Sequence, residues 1–168
     1  MSQRAQFVTT TTRLMAADDK IILLLGDIGT HGFRGCFEQW PTRCYNIGVC
    51  EQTMVGIAAG LAKEGFYPIV HSIASFLLRR PYEFILVDFG FQELAGCFVG
   101  VGASGEYGAL GKTHSCPEDE WLVDKIPGMN FVDTTIGGDT PDGPLYPVDW
   151  ALPLACKERR LTYIRLGP

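Results

Sequence analysis

Two hydrophobic patterns alternate along this chain, short continuous apolar runs and longer segments with helical spacing. Ile21-Ile22-Leu23-Leu24-Leu25 is apolar throughout and stops at Gly26-Asp27, the pattern of a strand buried on both faces of a parallel sheet. Tyr67 to Ser72, Cys97 to Val101, Asn130 to Val132 and Leu161 to Leu166 are read as further strands. Helical segments lie between them. Gln3 to Ala17 reads as a first helix, although the β-branched run Thr9–Thr12 loses side-chain freedom in one. Glu51 to Lys63 has helical spacing and a stop signal at Gly65. A helix is predicted from about Phe76 to Leu94, with Pro81 marking a second possible start that would leave Phe76 in the preceding loop. Pro117-Glu118-Asp119-Glu120 opens a short helix with acids suited to its positive end. Pro147 to Arg160 is a helix ending in basic residues.

This alternation of helix and strand with short links predicts an α/β fold, a mostly parallel sheet flanked by helices, in a single domain spanning 1–168. Ligands in such sheets bind beyond the carboxyl ends of the strands. Asp27, Glu51, Phe76 and His114 mostly follow predicted strands, so they are expected to converge on one edge. No internal repeat, low-complexity tract or linker interrupts the chain.

Composition narrows the function classes. Hydrophobic residues make up 46% and charged residues 20%, as in soluble globular proteins. A net charge of −5 argues against nucleic acid or an anionic membrane as partner. No apolar stretch approaches the ~20 residues of a membrane span, and Met1 to Gln6 lacks the features of a signal peptide. The 6 cysteines (36, 44, 50, 97, 116 and 156) show neither a Cys-x-x-Cys pair nor metal-ligand spacing. They read as free, largely buried thiols in a reducing cytoplasm.

Three local constellations carry candidate chemistry. Glu51 places a carboxylate between an apolar run and a small-residue helix, where it must be paired, hydrogen-bonded or neutralised. It can complement the helix dipole, or hold a ligand nitrogen. Phe76 and Arg79 fall at i and i+3, neighbours on a helix; the phenyl ring can serve the core or form a platform for a flat heterocycle. Glycines 102, 105, 108 and 111 make a loop that leads to His114, either a solvent-exposed histidine or a donor and proton shuttle. Gly111-Lys112-Thr113 ends like a phosphate-binding loop, but Glu106 stands where its first glycine is required. A hydrolase reading also fails. There is no Gly-x-Ser-x-Gly, and His114 and Cys116 are too close in sequence to face each other productively.

Taken in order, these segments resemble one family. Gly48-Val49-Cys50-Glu51-Gln52 followed by Gly56-Ile57-Ala58-Ala59-Gly60-Leu61-Ala62 resembles the pyrimidine-binding domain of transketolases and deoxyxylulose-phosphate synthases. Ser75-Phe76-Leu77 with Arg79, then Thr113-His114-Ser115, Glu118-Asp119, Ile126-Pro127-Gly128-Met129 and Tyr163-Ile164-Arg165-Leu166-Gly167 extend the likeness from about Ile21 to Gly167. The resemblance implies thiamine diphosphate as cofactor, with Glu51 contacting the aminopyrimidine ring and Phe76 packing against it. It further implies Arg79 and Tyr82 beside that ring, Asp27 near the thiazolium and His114 facing the substrate. The catalytic pair would be Glu51 and His114.

Some positions depart from the pattern. Leu110 stands where many transketolases carry an acid, and Arg79 stands where they carry a second aromatic, closer to the deoxyxylulose-phosphate synthase pattern. The family's Gly-Asp-Gly…Asn site for diphosphate and Mg2+ has no counterpart: Gly26-Asp27-Ile28 lacks the second glycine, Asn46 comes too soon, and Gly138-Asp139-Thr140 has no asparagine after it. The chain also stops where the family's C-terminal domain would begin. The resemblance therefore implies a cytoplasmic pyrimidine-binding subunit of a split transketolase-like enzyme. A separate diphosphate-binding subunit would hold Mg2+ and complete the site in a heterotetramer, for transfer of a two-carbon ketol or acyl unit from a sugar phosphate or 2-oxo acid. A thiamine-dependent 2-oxo acid decarboxylase or dehydrogenase subunit, and a non-catalytic relic of the domain, are the alternatives.

Overall fold

The computed structural model describes residues 2–103, 105–136 and 147–167. Its centre is a six-stranded sheet: β1 (Ile21–Leu25), β2 (Cys44–Asn46), β3 (Tyr67–Ile73), β4 (Gly96–Val101), β5 (Asn130–Asp133) and β6 (Leu161–Leu166). All pairings are parallel, in the order β2-β1-β3-β4-β6-β5. The register keeps the carboxyl ends level. Leu25 pairs with Asn46 and His71, His71 with Val99, and Val99 with Ile164. Chain leaving β1, β2, β3 and β4 therefore emerges along one edge, where Asp27, Glu51, Phe76 and His114 follow.

Helices cover both faces. One apolar layer sets Leu23, Leu25, Ile69, Val99 and Ile164 against Phe7 and Met15 of α1 (Gln3–Ala17) and Leu152 of α7 (Val148–Glu158). The other sets Ile22, Leu24, Val70, Phe98 and Tyr163 against Met54, Val55 and Ala58 of α3 (Glu51–Lys63), Leu77 and Leu78 of α4 (Ala74–Arg79), and Phe89. Double-sided burial is why the central strands are continuous apolar runs. In α1 the Thr9 and Thr12 hydroxyls donate to the Ala5 and Val8 carbonyls at 3.0 and 2.8 Å, satisfying themselves one turn back. The threonine run is thereby compatible with a helix.

The long helix expected from Phe76 to Leu94 is broken. Phe76 lies inside α4, which ends before Arg80-Pro81, and α5 (Tyr82–Phe84) leads into a wider π-helical turn at Ile85–Gly90. Pro81 has no N–H to continue the ladder. Two elements escaped the periodicity reading, α2 (Arg34–Gln39) and β2. The latter is a three-residue edge strand whose Tyr45 and Asn46 are exposed, so it carries no apolar run. The short helix opened by Pro117 is α6 (Asp119–Asp124). Gly138-Asp139-Thr140 lies outside the described residues. Among the described residues no helix is long and apolar enough to cross a membrane.

Candidate active site

Glu51 is the first residue of α3 and is 1% exposed. A carboxylate this deep needs a partner, and the helix N-terminus alone is a weak one. Arg80 supplies it. Its Nη1 donates to both carboxylate oxygens, at 3.0 and 2.9 Å. The guanidinium carbon stands 3.8 Å from the centre of the Phe76 ring, so the plane is held by its edge at Glu51 and by a ring at its face. The other neighbour of Phe76 is His114, with ring centres 4.9 Å apart and planes at 69°. The His114 Nδ1 is 2.9 Å from the Thr113 hydroxyl. Ser75, one residue before Phe76, donates to the Thr113 carbonyl at 2.7 Å and clips the glycine loop to α4. Glu51, Arg80, Phe76 and His114 thus stand in one row.

The remaining sequence candidates sit around this row. Arg79 turns away from Glu51: its Nε donates to Glu118 at 2.7 Å and its Nη1 to the Lys112 carbonyl at 3.4 Å. Bonding to Glu118 raises its pKa above the ordinary guanidinium value. With both side chains substantially exposed, this pair is worth little energy but fixes the far end of the His114 loop. Tyr82 is half-buried and donates to the Leu122 carbonyl at 3.1 Å. Asp27 adopts a left-handed φ of 57° after β1. Its N–H donates to the Asn46 Oδ1 at 3.0 Å, and the Asn46 Nδ2 returns a bond to its carboxylate at 3.0 Å. Asn46 also accepts from the Gly48 N–H at 3.1 Å, tying the turn after β1 to the one leading into Glu51. Glu51, Phe76 and His114 are linked by contact through Arg80 and ring packing, whereas Asp27 shares their edge without touching them.

Sequence reasoning passed over Arg80 and Asn46. Arg80 lies four residues after Phe76, and that i, i+4 spacing is the available signal. In sequence Asn46 bears only on the metal pattern.

Beneath the loop lies a buried ionic knot. Arg165 donates to Asp119 through Nε at 3.1 Å and through a second nitrogen, and to Asp133 through Nη1 at 2.6 Å. Tyr163 donates to Asp119 at 3.0 Å. Bonding to Asp119 raises the Arg165 pKa, and burial, reinforced by Asp119, raises that of Tyr163. On the other side of the sheet edge a cavity of about 520 Å3 opens just after Asp27, lined in part by Arg4, Phe7, Gly29, His31, His71 and Tyr107. His71 is buried against the Val99 carbonyl, 2.7 Å from its Nδ1. Burial pulls its pKa down to about 4, and the neutral ring must then donate from Nδ1 to that carbonyl. Among the described residues no group of three or more His, Cys, Asp or Glu is placed to hold a metal ion.

Comparison with known proteins identifies the family of this fold. The family model for the transketolase pyrimidine-binding domain matches residues 1–138. The chain belongs to that family. The pyrimidine-binding domain is 36% identical over 121 residues to an uncharacterized 33.6 kDa protein in the fasciation locus of Rhodococcoides fascians, covering 72% of this chain and 39% of that protein. It is 33% identical over 130 residues to an apulose-4-phosphate transketolase subunit of Phocaeicola vulgatus, covering 77% of this chain and 42% of that one. The chain thus spans about two fifths of the length of these relatives. A solved structure described as "Split gene transketolase, inactive beta4 tetramer" superposes with a TM-score of 0.81 at 24% identity, covering 99% of this chain and 51% of the other. At that identity the likeness speaks for the fold alone. The α/β fold with a parallel sheet is therefore that of a transketolase pyrimidine-binding domain, in a family dependent on thiamine diphosphate.

Proposed function

We propose that the chain, as one unit over 1–168, is the pyrimidine-binding subunit of a split transketolase-like transferase. In this reading it completes thiamine diphosphate sites with a separate diphosphate-binding subunit. One observation carries it: Glu51 and Phe76 already grip a flat nitrogen cation, the Arg80 guanidinium, by edge and face. An aminopyrimidine that carries a proton on its ring nitrogen presents an N–H donor at its edge and the same flat face, so the slot fits that half of the cofactor. When bound, thiamine diphosphate supplies the carbon nucleophile that carries a two-carbon ketol or acyl unit. The chain's own residues bind and orient. Glu51 holds a ring nitrogen in a water-poor pocket, Phe76 packs on the ring, and Tyr82 and Arg79 brace the helices behind it. His114 faces the substrate side and can donate to an oxygen or move a proton at neutral pH, and Asp27 approaches from the β1 turn.

Among the described residues no group of three or more His, Cys, Asp or Glu is placed to hold Mg2+ at the diphosphate end. That end is assigned to the partner. The exposed face of α3 supports docking of a second chain, because Gly56 and Gly60 leave open space beside half-exposed Ile57, letting another backbone approach closely. The naming of the Phocaeicola vulgatus relative as a subunit supports the same reading. Arg4, His31 and the N-terminus of α1 around the cavity beyond Asp27 suit the phosphate of a sugar phosphate substrate. The cytoplasm, where such substrates and reduced thiols occur, is the expected compartment, and a heterotetramer the expected assembly.

The test is reconstitution. Chain expressed alone should transfer no two-carbon unit. Mixed with a protein carrying the Gly-Asp-Gly…Asn pattern, Mg2+ and thiamine diphosphate, it should convert ketose phosphates. Product from pyruvate alone would point to the 2-oxo acid enzymes instead, and no product from either would overturn the catalytic reading.

A further inference from the structure

Arg80 is an awkward presence in the slot just described. Its Nη1 uses both oxygens of Glu51, and its plane covers the Phe76 ring. These are the two contacts an aminopyrimidine needs, so guanidinium and ring cannot occupy the slot together. Resting on the reading of Glu51 and Phe76 as the aminopyrimidine site, we infer that Arg80 is a built-in occupant of that site, which the cofactor displaces on binding.

The chemistry of the two partners decides which one moves. Glu51 is 1% exposed and anchored in the first turn of α3, whereas the Arg80 side chain is 38% exposed and reaches solvent. Arg80 also lies at the break between α4 and α5, just before Pro81, outside the regular ladder of either helix. Its long stem can swing the charged head into water at little cost in hydration, which Glu51 cannot do. While the slot holds no cofactor, Arg80 keeps a buried carboxylate from standing unpaired. Loading then exchanges one flat cation-like donor for another, and the apparent affinity is reduced by the fraction of molecules in which the slot is open. Arginine suits this role because its plane and fork match both the carboxylate edge and the aromatic face, which a lysine ammonium does not.

The experiment uses the full chain and the cofactor's pyrimidine half, 4-amino-5-hydroxymethyl-2-methylpyrimidine, as probe. Binding is followed by NMR of 13C-labelled phenylalanine rings and of arginine Nε–H signals. In the unsubstituted chain, the Arg80 Nε–H resonance should move toward its free value as the Phe76 ring signals respond to probe. In Arg80→Met the dissociation constant should fall by about tenfold, as expected if the slot is open roughly one time in ten. Arg80→Lys, which keeps a cation and the fold but not the plane, should fall between the two and carries the test should Arg80→Met not fold. An unchanged or weaker affinity in folded Arg80→Met, or no binding by it, overturns the inference. Glu51→Gln and Phe76→Ala separate this failure from failure of the site itself. If both weaken the probe while Arg80→Met does not tighten it, only the displaced-arginine inference fails; if neither matters, the slot reading fails with it.

Discussion

Replacing Arg165 by methionine should be among the most damaging single changes in this protein. Arg165 is the cation of the knot described above, and it faces Asp119 at 0% and Asp133 at 8% exposure. Methionine keeps most of the buried stem, so the perturbation is chiefly electrical: two interior carboxylates lose their counter-charge and the three hydrogen bonds that Arg165 donates to them. Breaking a buried ion pair from one side costs about 3–5 kcal/mol. Set against the roughly 5–15 kcal/mol that holds a domain folded, that is about a fifth or more of the total. At roughly 2–4 °C per kcal/mol for a chain of this size, the melting midpoint should drop by roughly 6–20 °C. Urea titration followed by far-ultraviolet circular dichroism gives the free energy directly, and an unchanged slope would show that the extent of unfolding is the same. Adding Asp119→Leu should recover part of the loss, because removing a carboxylate removes the penalty of stranding it. A loss below about 1 kcal/mol in Arg165→Met would refute the reasoning and show that water or neighbouring groups already neutralise the knot.

Further outcomes follow from other sites. His71 titrates near 4 when folded against an ordinary 6.5, so the unfolded chain binds a proton that the folded one refuses; stability is full above about pH 6.5 and falls toward pH 4. The loss is on the order of 3 kcal/mol, measurable as urea midpoints at pH 7.5 and 4.5, and His71→Gln should flatten that dependence. Gly100→Ala would set a methyl 2.3 Å from the Tyr163 hydroxyl and should destabilise by about 1–3 kcal/mol through overpacking, read from the same titrations. Gly56→Leu meets open space and should leave the isolated chain at least as stable, since glycine is about 1 kcal/mol poorer than alanine inside a helix. Size-exclusion chromatography with the partner should nonetheless show loss of the complex.

The parts of this fold that sequence makes visible are those with one physical cause acting over several residues. Ile21–Leu25 and Cys97–Val101 announce themselves because strands covered on both faces do not tolerate polar positions. β2 stays silent because an edge strand of three residues has too few buried positions to form a pattern. The break at Arg80-Pro81 was half visible: Pro81 signalled a start, while apolar spacing beyond it suggested one continuous helix. At the site, Glu51 stood out as a carboxylate in the wrong surroundings, and Phe76 and His114 through their place in an ordered set of motifs. Arg80 did not, because a charged residue beside another charged residue reads as solvated surface, and only the fold reveals that its head turns inward. The roles of Arg79 and Asn46 are likewise set by partners 39 and 19 residues away, Glu118 and Asp27.

The proposed catalytic role rests on Glu51 acting on the aminopyrimidine, and one substitution addresses that most directly. Glu51→Gln keeps the size and a hydrogen-bonding edge but removes the carboxylate. In the reconstituted enzyme with saturating thiamine diphosphate and Mg2+, the rate of two-carbon transfer should fall by at least about a hundredfold, the scale of a lost proton-transfer partner, while the complex still assembles. Full activity in Glu51→Gln would contradict the role assigned to this carboxylate.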